Sequence, residues 1–271
     1  PQAQAAGVTR ATFDRALRGL EPDYALPDLD VPGRPPAAEG QPEFVQSPAD
    51  YMRESTLARL AAQGRKLLAQ HRQTLDAIER RFGVAPAILL AIWGRETAFG
   101  EHRLQHDALR VLATQAYVGR RKEHFLPEFV LALKMIEDGV VARSEMRSSW
   151  AGAMGLTQFL PSDFYRHGVD FDGDGHVDIW RSVPDALASA ARQLIDKGWQ
   201  PGRRWGYEVR APADLDCTLA DPDRPMPIAA WLARGFSLMH GRSIGPAERR
   251  EPASLLLPEG TYGPAFLAPA N

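Results

Sequence analysis

Apolar positions recur at three- and four-residue spacing through most of the chain up to about residue 200, the mark of helices that bury one face. A short helical pattern covers residues 11–20, from Ala11-Thr12-Phe13 to Leu20. Glu21 to Pro42 is rich in Pro, Asp and Gly and reads as an extended connector. From Ser47 a long helical pattern runs to Phe82, with Ser47 and Asp50 as an N-cap pair and Gly83 as the stop. Pro86 suits the first turn of the next helix, which carries Leu89, Leu90, Ile92, Trp93 and Glu96 to about Phe99. Further helices are predicted from Leu104 to Tyr117, from Pro127 to Asp138, from Pro161 to Gly168 and over residues 183–197. After Trp199 the helical period fades. Trp205 to Arg210 reads as a strand with Tyr207 and Val209 on one face, and Leu255 to Leu257 is a second short apolar run. The pattern predicts a mainly α protein of α+β class, with a helical body and a smaller β-containing part after residue 200.

Composition leaves that picture standing and excludes some functions. The 271 residues are 44% hydrophobic and 24% charged, ordinary for a globular chain that can build its own core. A net charge of −2 gives no pull toward nucleic acid. No apolar run approaches the ~18 residues of a membrane span. The lone Cys217 excludes an internal disulfide and reads as a small packing residue. The chain starts Pro1-Gln2 and shows no leader, so a signal or lipid anchor is expected to lie outside it.

Three segments carry candidate chemistry. In Trp93-Gly94-Arg95-Glu96-Thr97-Ala98-Phe99-Gly100, Glu96 follows Ile92 by four residues and Trp93 by three, on the apolar stripe of its helix. A carboxyl desolvated there stays protonated to higher pH and can donate to a leaving oxygen. The competing reading is a structural Glu paired with Arg95 or Arg103. The second segment, Ser148 to Ser162, alternates small residues with Trp150, Met154 and Phe159. Such a run either lets a sugar approach the backbone or forms a tight helix-packing seam. The third, Asp170-Phe171-Asp172-Gly173-Asp174-Gly175-His176, fits the opening of a calcium loop, with Asp170, Asp172, Asp174 and the His176 carbonyl as oxygen ligands and Gly175 at the sharp turn. Its twelfth position is Arg181 instead of Glu; the next acid, Asp185, is the candidate to close the site.

Taken in register, these segments resemble the lytic murein transglycosylase B family. The matching residues are Trp93 to Thr97 with Phe99-Gly100, Ala108 to Thr114, Trp150 to Gly155 with Gln158-Phe159 and Pro161-Ser162, and Asp172 to Gly175 with Asp178-Ile179-Trp180. The resemblance implies a lysozyme-like catalytic core over residues 81–200, a flanking helical domain over 1–80 and a small β-containing part over 201–271. It implies Glu96 as the sole catalytic acid and base, with Ser149, Met154, Gln158 and Phe159 lining the sugar groove. It implies a structural calcium loop closed by Asp185, and no cofactor in the chemistry. Two departures are visible: Arg192 and Gln193 stand where the family has an Asn-Tyr pair, and the family's later Tyr-Asn segment is not within this chain.

The implied reaction cleaves the β-1,4 bond between N-acetylmuramic acid and N-acetylglucosamine and forms a 1,6-anhydro sugar. Most glycosidases use two carboxylates, whereas one acid suffices when the sugar supplies its own nucleophile. The alternatives are a hydrolytic muramidase and a non-catalytic peptidoglycan-binding protein. The expected partners are peptidoglycan glycan strands and cell-wall remodelling complexes, and the chain is expected to act as a periplasmic monomer.

Overall fold

The computed structural model describes residues 1–33 and 47–271. The chain divides into two compact units, 1–45 with 58–197 and 46–57 with 198–271, counting the described residues in each. The stretches 58–80 and 81–197, expected to belong to different domains, therefore share one unit.

The first unit is helical. It holds α1 (Gln2–Ala5), α2 (Arg10–Leu17), most of α4 (Glu54–Gln70), α5 (Arg72–Phe82), α6 (Pro86–Thr97), α7 (Ala108–Val118), α8 (Lys122–Glu137), α9 (Pro161–His167) and α10 (Val183–Asp196). A two-stranded ribbon pairs β1 (His106–Asp107) with β2 (Arg147–Ser148), antiparallel, with His106 opposite Ser148. The core gathers Leu109, Leu112, Phe125, Leu133, Met135, Met146, Met154, Phe159 and Ile179, all almost without exposed surface.

Local chemistry explains the departures from the predicted helices. The pattern over 47–82 is three helices. Ser47 and Asp50 close a capping box on α3 (Pro48–Tyr51), and that short helix ends at Met52. His71, with φ −105°, separates α4 from α5, where its ring meets the edge of Trp93 at 6.1 Å. Hydrophobic period does not register a one-residue break. Pro127 does not open its helix; α8 begins at Lys122, and buried Phe125 anchors the turn before the proline. Helix α7 begins at Ala108 because Asp107, ending β1, accepts the Arg110 N–H at 3.0 Å and so caps it.

The described half of the expected connector is a strap fastened to α7; residues 34–42 lie outside the described residues. Asp23 N–H donates to Thr114 Oγ1 at 2.9 Å, and Gln115 Nε2 donates to the Pro27 carbonyl at 3.0 Å. Buried Asp28 receives the Arg121 Nε donor at 2.7 Å, which compensates a charge that burial would otherwise penalise.

The second unit carries a five-stranded antiparallel sheet in the order β4 (Met226–Pro227), β6 (Pro252–Leu256), β7 (Ala265–Pro269), β3 (Tyr207–Arg210), β5 (Ser237–Leu238). Helices α11 (Ile228–Ala233) and α12 (Pro246–Arg250) accompany it. Tyr207 and Val209 share the buried face, packed with Trp231, Leu255 and Leu267, while Glu208 and Arg210 point the other way. Cys217, read as a packing residue, is exposed in a short 3₁₀ turn instead.

Candidate active site

Helix α6 turns its buried face, Leu89, Leu90, Trp93, Gly94 and Thr97, into the core. Glu96 lies beside this stripe and not on it: its side chain reaches solvent, a correction to the position expected from spacing. Its surroundings still remove enough water to push its carboxyl above the usual range, with Arg95 pulling the other way. Among the described residues Glu96 makes no hydrogen bond or ion pair. The structural Glu–Arg pair is therefore not formed. A carboxyl that is crowded, raised and yet reachable suits proton donation to a bound ligand.

The helix ends in backbone strain. Ala98, Phe99 and Gly100 take φ values of 49°, 61° and 86°, a left-handed run in which two residues carry a Cβ. The Phe99 ring offsets that cost by folding back over Gly94, where any Cβ would sit 2.7 Å from the ring, and by meeting Trp93 edge-on at 5.5 Å. Gly94 is thus needed for close packing two residues before the acid.

The small-residue loop resolves in favour of packing. A Cβ on Gly152 would lie 2.4 Å from Leu112, and one on Gly155 would lie 2.7 Å from the Ile179 carbonyl. Met154 and Phe159 exchange backbone hydrogen bonds at 2.8 Å in both directions. Their side chains are fully buried, so they support the loop from beneath and, against the expectation that they line the sugar groove, offer no face to a sugar ring. Ser149 and Gln158 remain half-exposed. Ser149 Oγ accepts the Ala153 N–H at 3.2 Å. Gln158 holds a left-handed φ of 56°, and its Nε2 donates to the Gly155 carbonyl at 3.1 Å.

The three sequence motifs meet at one residue that spacing did not single out. Leu156 donates its N–H to the Ile179 carbonyl at 2.9 Å and accepts Thr97 Oγ1 on its own carbonyl at 2.8 Å. Through these bonds the acid helix, the small-residue loop and the end of the acidic loop are joined. Asp163 is committed elsewhere: it caps α9 and accepts Gln193 Nε2 at 2.8 Å. Gln193, one of the departures from the family pattern, therefore braces the helix that follows Gln158.

In the acidic loop, ligand oxygens of Asp170, Asp172 and Asp174 converge within 4.8 Å of one another. None of the three is ion-paired with a cation among the described residues, so a divalent cation would relieve their mutual repulsion. Gly173 and Gly175 adopt φ of 79° and 91°, which the turn requires of glycine. His176 N–H donates to Asp174 at 2.8 Å. Asp185 stands outside the converging group. It is buried, and it accepts the N–H groups of Phe171 at 2.8 Å, Asp172 at 3.3 Å and Asp178 at 2.9 Å. A carboxylate can accept about four bonds, so one acceptor position remains beyond these three.

The whole of the chain, residues 1–271, matches the family model described as the transglycosylase SLT domain. The chain belongs to that family. Among relatives of this SLT-domain chain, the membrane-bound lytic murein transglycosylase B of Escherichia coli is 37% identical over 134 residues, 49% of this chain and 37% of that protein. The chain thus aligns with little more than a third of that relative's length. SltB3 from Pseudomonas aeruginosa, solved in complex with NAG-anhNAM-pentapeptide, is 41% identical with a TM-score of 0.86, covering 99% of this chain and 69% of that one. The Escherichia coli lytic transglycosylase Slt35 in complex with calcium is 27% identical with a TM-score of 0.65, covering 82% and 68%. The α+β class read from the SLT-domain sequence agrees with these neighbours, and among the described residues no helix is long and apolar enough to cross a membrane.

Proposed function

We propose that this chain cuts the glycan strands of peptidoglycan as a lytic transglycosylase, with Glu96 as its single acid and base. The observation that carries the reading is the state of Glu96: solvent-reachable, raised by desolvation, and without a hydrogen bond or ion pair among the described residues. Glu96 would protonate the oxygen between N-acetylmuramic acid and N-acetylglucosamine as the bond to C1 breaks. The N-acetyl carbonyl of the sugar would stabilise the positive charge at C1. The C6 hydroxyl would then attack C1 while the Glu96 carboxylate takes its proton, which returns the enzyme to its starting state and leaves a 1,6-anhydro end. The murein transglycosylase relatives and the muropeptide held by SltB3 support peptidoglycan as substrate, and with it a periplasmic site of action.

Ser149 and Gln158, half-exposed on the small-residue loop, would hold the acetamido and hydroxyl groups of the sugar. Met154 and Phe159 would act from beneath, by fixing the loop on which those two stand. A calcium ion would be held by Asp170, Asp172, Asp174 and the His176 carbonyl, with the remaining acceptor position of Asp185; it would stabilise the loop and take no part in proton transfer. The test is mass spectrometry of muropeptides released from purified peptidoglycan. Anhydro products, one water lighter than hydrolysed ones and absent with Glu96→Gln, are expected. Reducing-end products would overturn the mechanism in favour of a hydrolase, and no products from either protein would point to a binding role.

A further inference from the structure

Helices α9 and α10 enclose a polar cluster that the proton transfer does not use. His167, the last residue of α9, is buried to 2% exposure, and each of its ring nitrogens faces a carboxylate. Nε2 stands 3.1 Å from Asp196 Oδ2; that hydrogen bond holds the Asp196 carboxyl below the usual range, with Arg166 and Arg192 pulling the same way. Nδ1 stands 3.6 Å from Asp163 Oδ1, too far for a hydrogen bond, and has no partner among the described residues. The charges that α8 turns toward α9 are committed: Glu128 accepts the Ser162 N–H at 2.9 Å, and Asp138 is held by Lys134 at 2.8 Å and by Tyr165 at 2.7 Å. A neutral imidazole has one N–H and one lone pair. With its N–H on Asp196 it turns the lone pair toward Asp163, whereas the doubly protonated ring can donate to both carboxylates.

Both sides of this ring lead to the loop that carries Gln158. The ring meets Phe159 edge-on, with centroids 6.4 Å apart at 76°. Asp163 accepts the Leu160 N–H at 3.4 Å and Gln193 Nε2 at 2.8 Å. His167 thus touches Phe159 directly and reaches Leu160 through Asp163, and these are the two residues that follow Gln158. Gln158 has a left-handed φ of 56°, a conformation that its surroundings must enforce. We propose that His167 is a positioning residue for Gln158: charged, it draws Asp163 into a hydrogen bond and fixes the loop, and neutral, it releases that hold. A nitrogen buried without a partner is costly, and protonation with a small approach of Asp163 removes the cost. The proposal rests on the reading that Gln158 holds the sugar, and adds what governs how firmly it does so.

The test uses the full chain carrying Glu96→Gln, isotope-labelled, so that neither turnover nor the Glu96 carboxyl enters. The ring nitrogens of His167 are followed by NMR from about pH 8 to about pH 5, the range in which histidine changes charge. The backbone and side-chain amides of Gln158 are expected to move with the midpoint of His167, and that movement to vanish in His167→Gln. Asp163→Asn removes one facing charge and should shift the His167 midpoint downward. Affinity for tetra-N-acetylchitotetraose, a sugar with no titration of its own here, should rise about two- to tenfold from the basic to the acidic end, the worth of one hydrogen bond, and stay flat in His167→Gln. A His167 that keeps one charge throughout, Gln158 amides that ignore its midpoint or still move in His167→Gln, or an affinity flat with pH would each overturn the proposal. The titration needs no substitution in the cluster, so it decides even where His167→Gln lowers the melting temperature. Because no cleavage is measured, these results leave the role of Glu96 to be judged by its own products.

Discussion

Thr97 Oγ1 donates a 2.8 Å hydrogen bond to the carbonyl of Leu156, 59 residues further along the chain. Thr97 is buried and directly follows the catalytic candidate Glu96, while Leu156 is bonded on its other side to Ile179. One hydroxyl thus fixes the end of the acid's helix against the loop that carries Ser149 and Gln158. Thr97→Val keeps the shape and removes the donor, which leaves a carbonyl unpaired at a cost of about 1–3 kcal/mol. The melting temperature should fall by roughly 2–4 °C per kcal/mol for a protein of this size. Turnover should fall with it, and Thr97→Ser should restore both. A Thr97→Val enzyme as active and as stable as the parent would show that the bond does not position the acid.

Glu96 gives a pH signature of defined sign. Its carboxyl is raised in the folded chain by desolvation. A raised group favours folding fully below its unfolded pKa and loses that contribution as pH climbs through the folded value. Activity that needs the protonated acid should therefore decline along a basic limb lying above the ordinary Glu value of about 4.3. Glu96→Gln should be inactive yet at least as stable as the parent at neutral pH, with the advantage vanishing on acidification. Melting scans across pH check this. A variant less stable at neutral pH would contradict the desolvation.

Phe159 and Met154 should behave as core residues. Both are fully buried, so Phe159→Ala should cost about 3–5 kcal/mol and Met154→Ala about 2–5 kcal/mol. Denaturant unfolding measures the loss. A selective fall in glycan affinity with unchanged stability would restore them to the groove surface.

Gly155 and Gly173 separate two uses of glycine. Both have left-handed φ, 75° and 79°, but only at Gly155 would a Cβ meet a backbone atom, the Ile179 carbonyl at 2.7 Å. Gly173→Ala should cost about 1 kcal/mol, from backbone conformation alone. Gly155→Ala adds overpacking of about 1–3 kcal/mol. Equal costs in denaturant unfolding would mean that the loop yields at Ile179 without penalty.

Calcium should raise the melting temperature of the chain, since an ion that binds only the folded state at a hundredfold excess over Kd adds about 2.7 kcal/mol. Asp174→Asn can keep the hydrogen bond from His176 while removing a charge, so it should reduce the calcium response and leave metal-free stability nearly unchanged. No calcium-dependent shift in the parent chain would remove the metal from the proposal.

The sequence by itself determined the helices with strong apolar period, the strand that buries Tyr207 and Val209, and the three motifs. These rest on side-chain period and on residues whose local conformational preferences are strong, such as Pro86 at a helix start or Gly175 in a turn. Only the tertiary structure decided the rest. The break at His71 leaves no gap in the apolar period. The burial of Met154 and Phe159 depends on which face of a loop turns inward, and periodicity does not govern loops. Glu96 proved to lie beside its apolar stripe because three- and four-residue spacings span a wide arc of a helix, and what packs against each part of it is set by distant segments. Leu156 joins the three motifs through its backbone N–H and carbonyl, groups that every non-proline residue carries. Its side chain therefore held no sign of that role, and only the path of the folded chain assigns it.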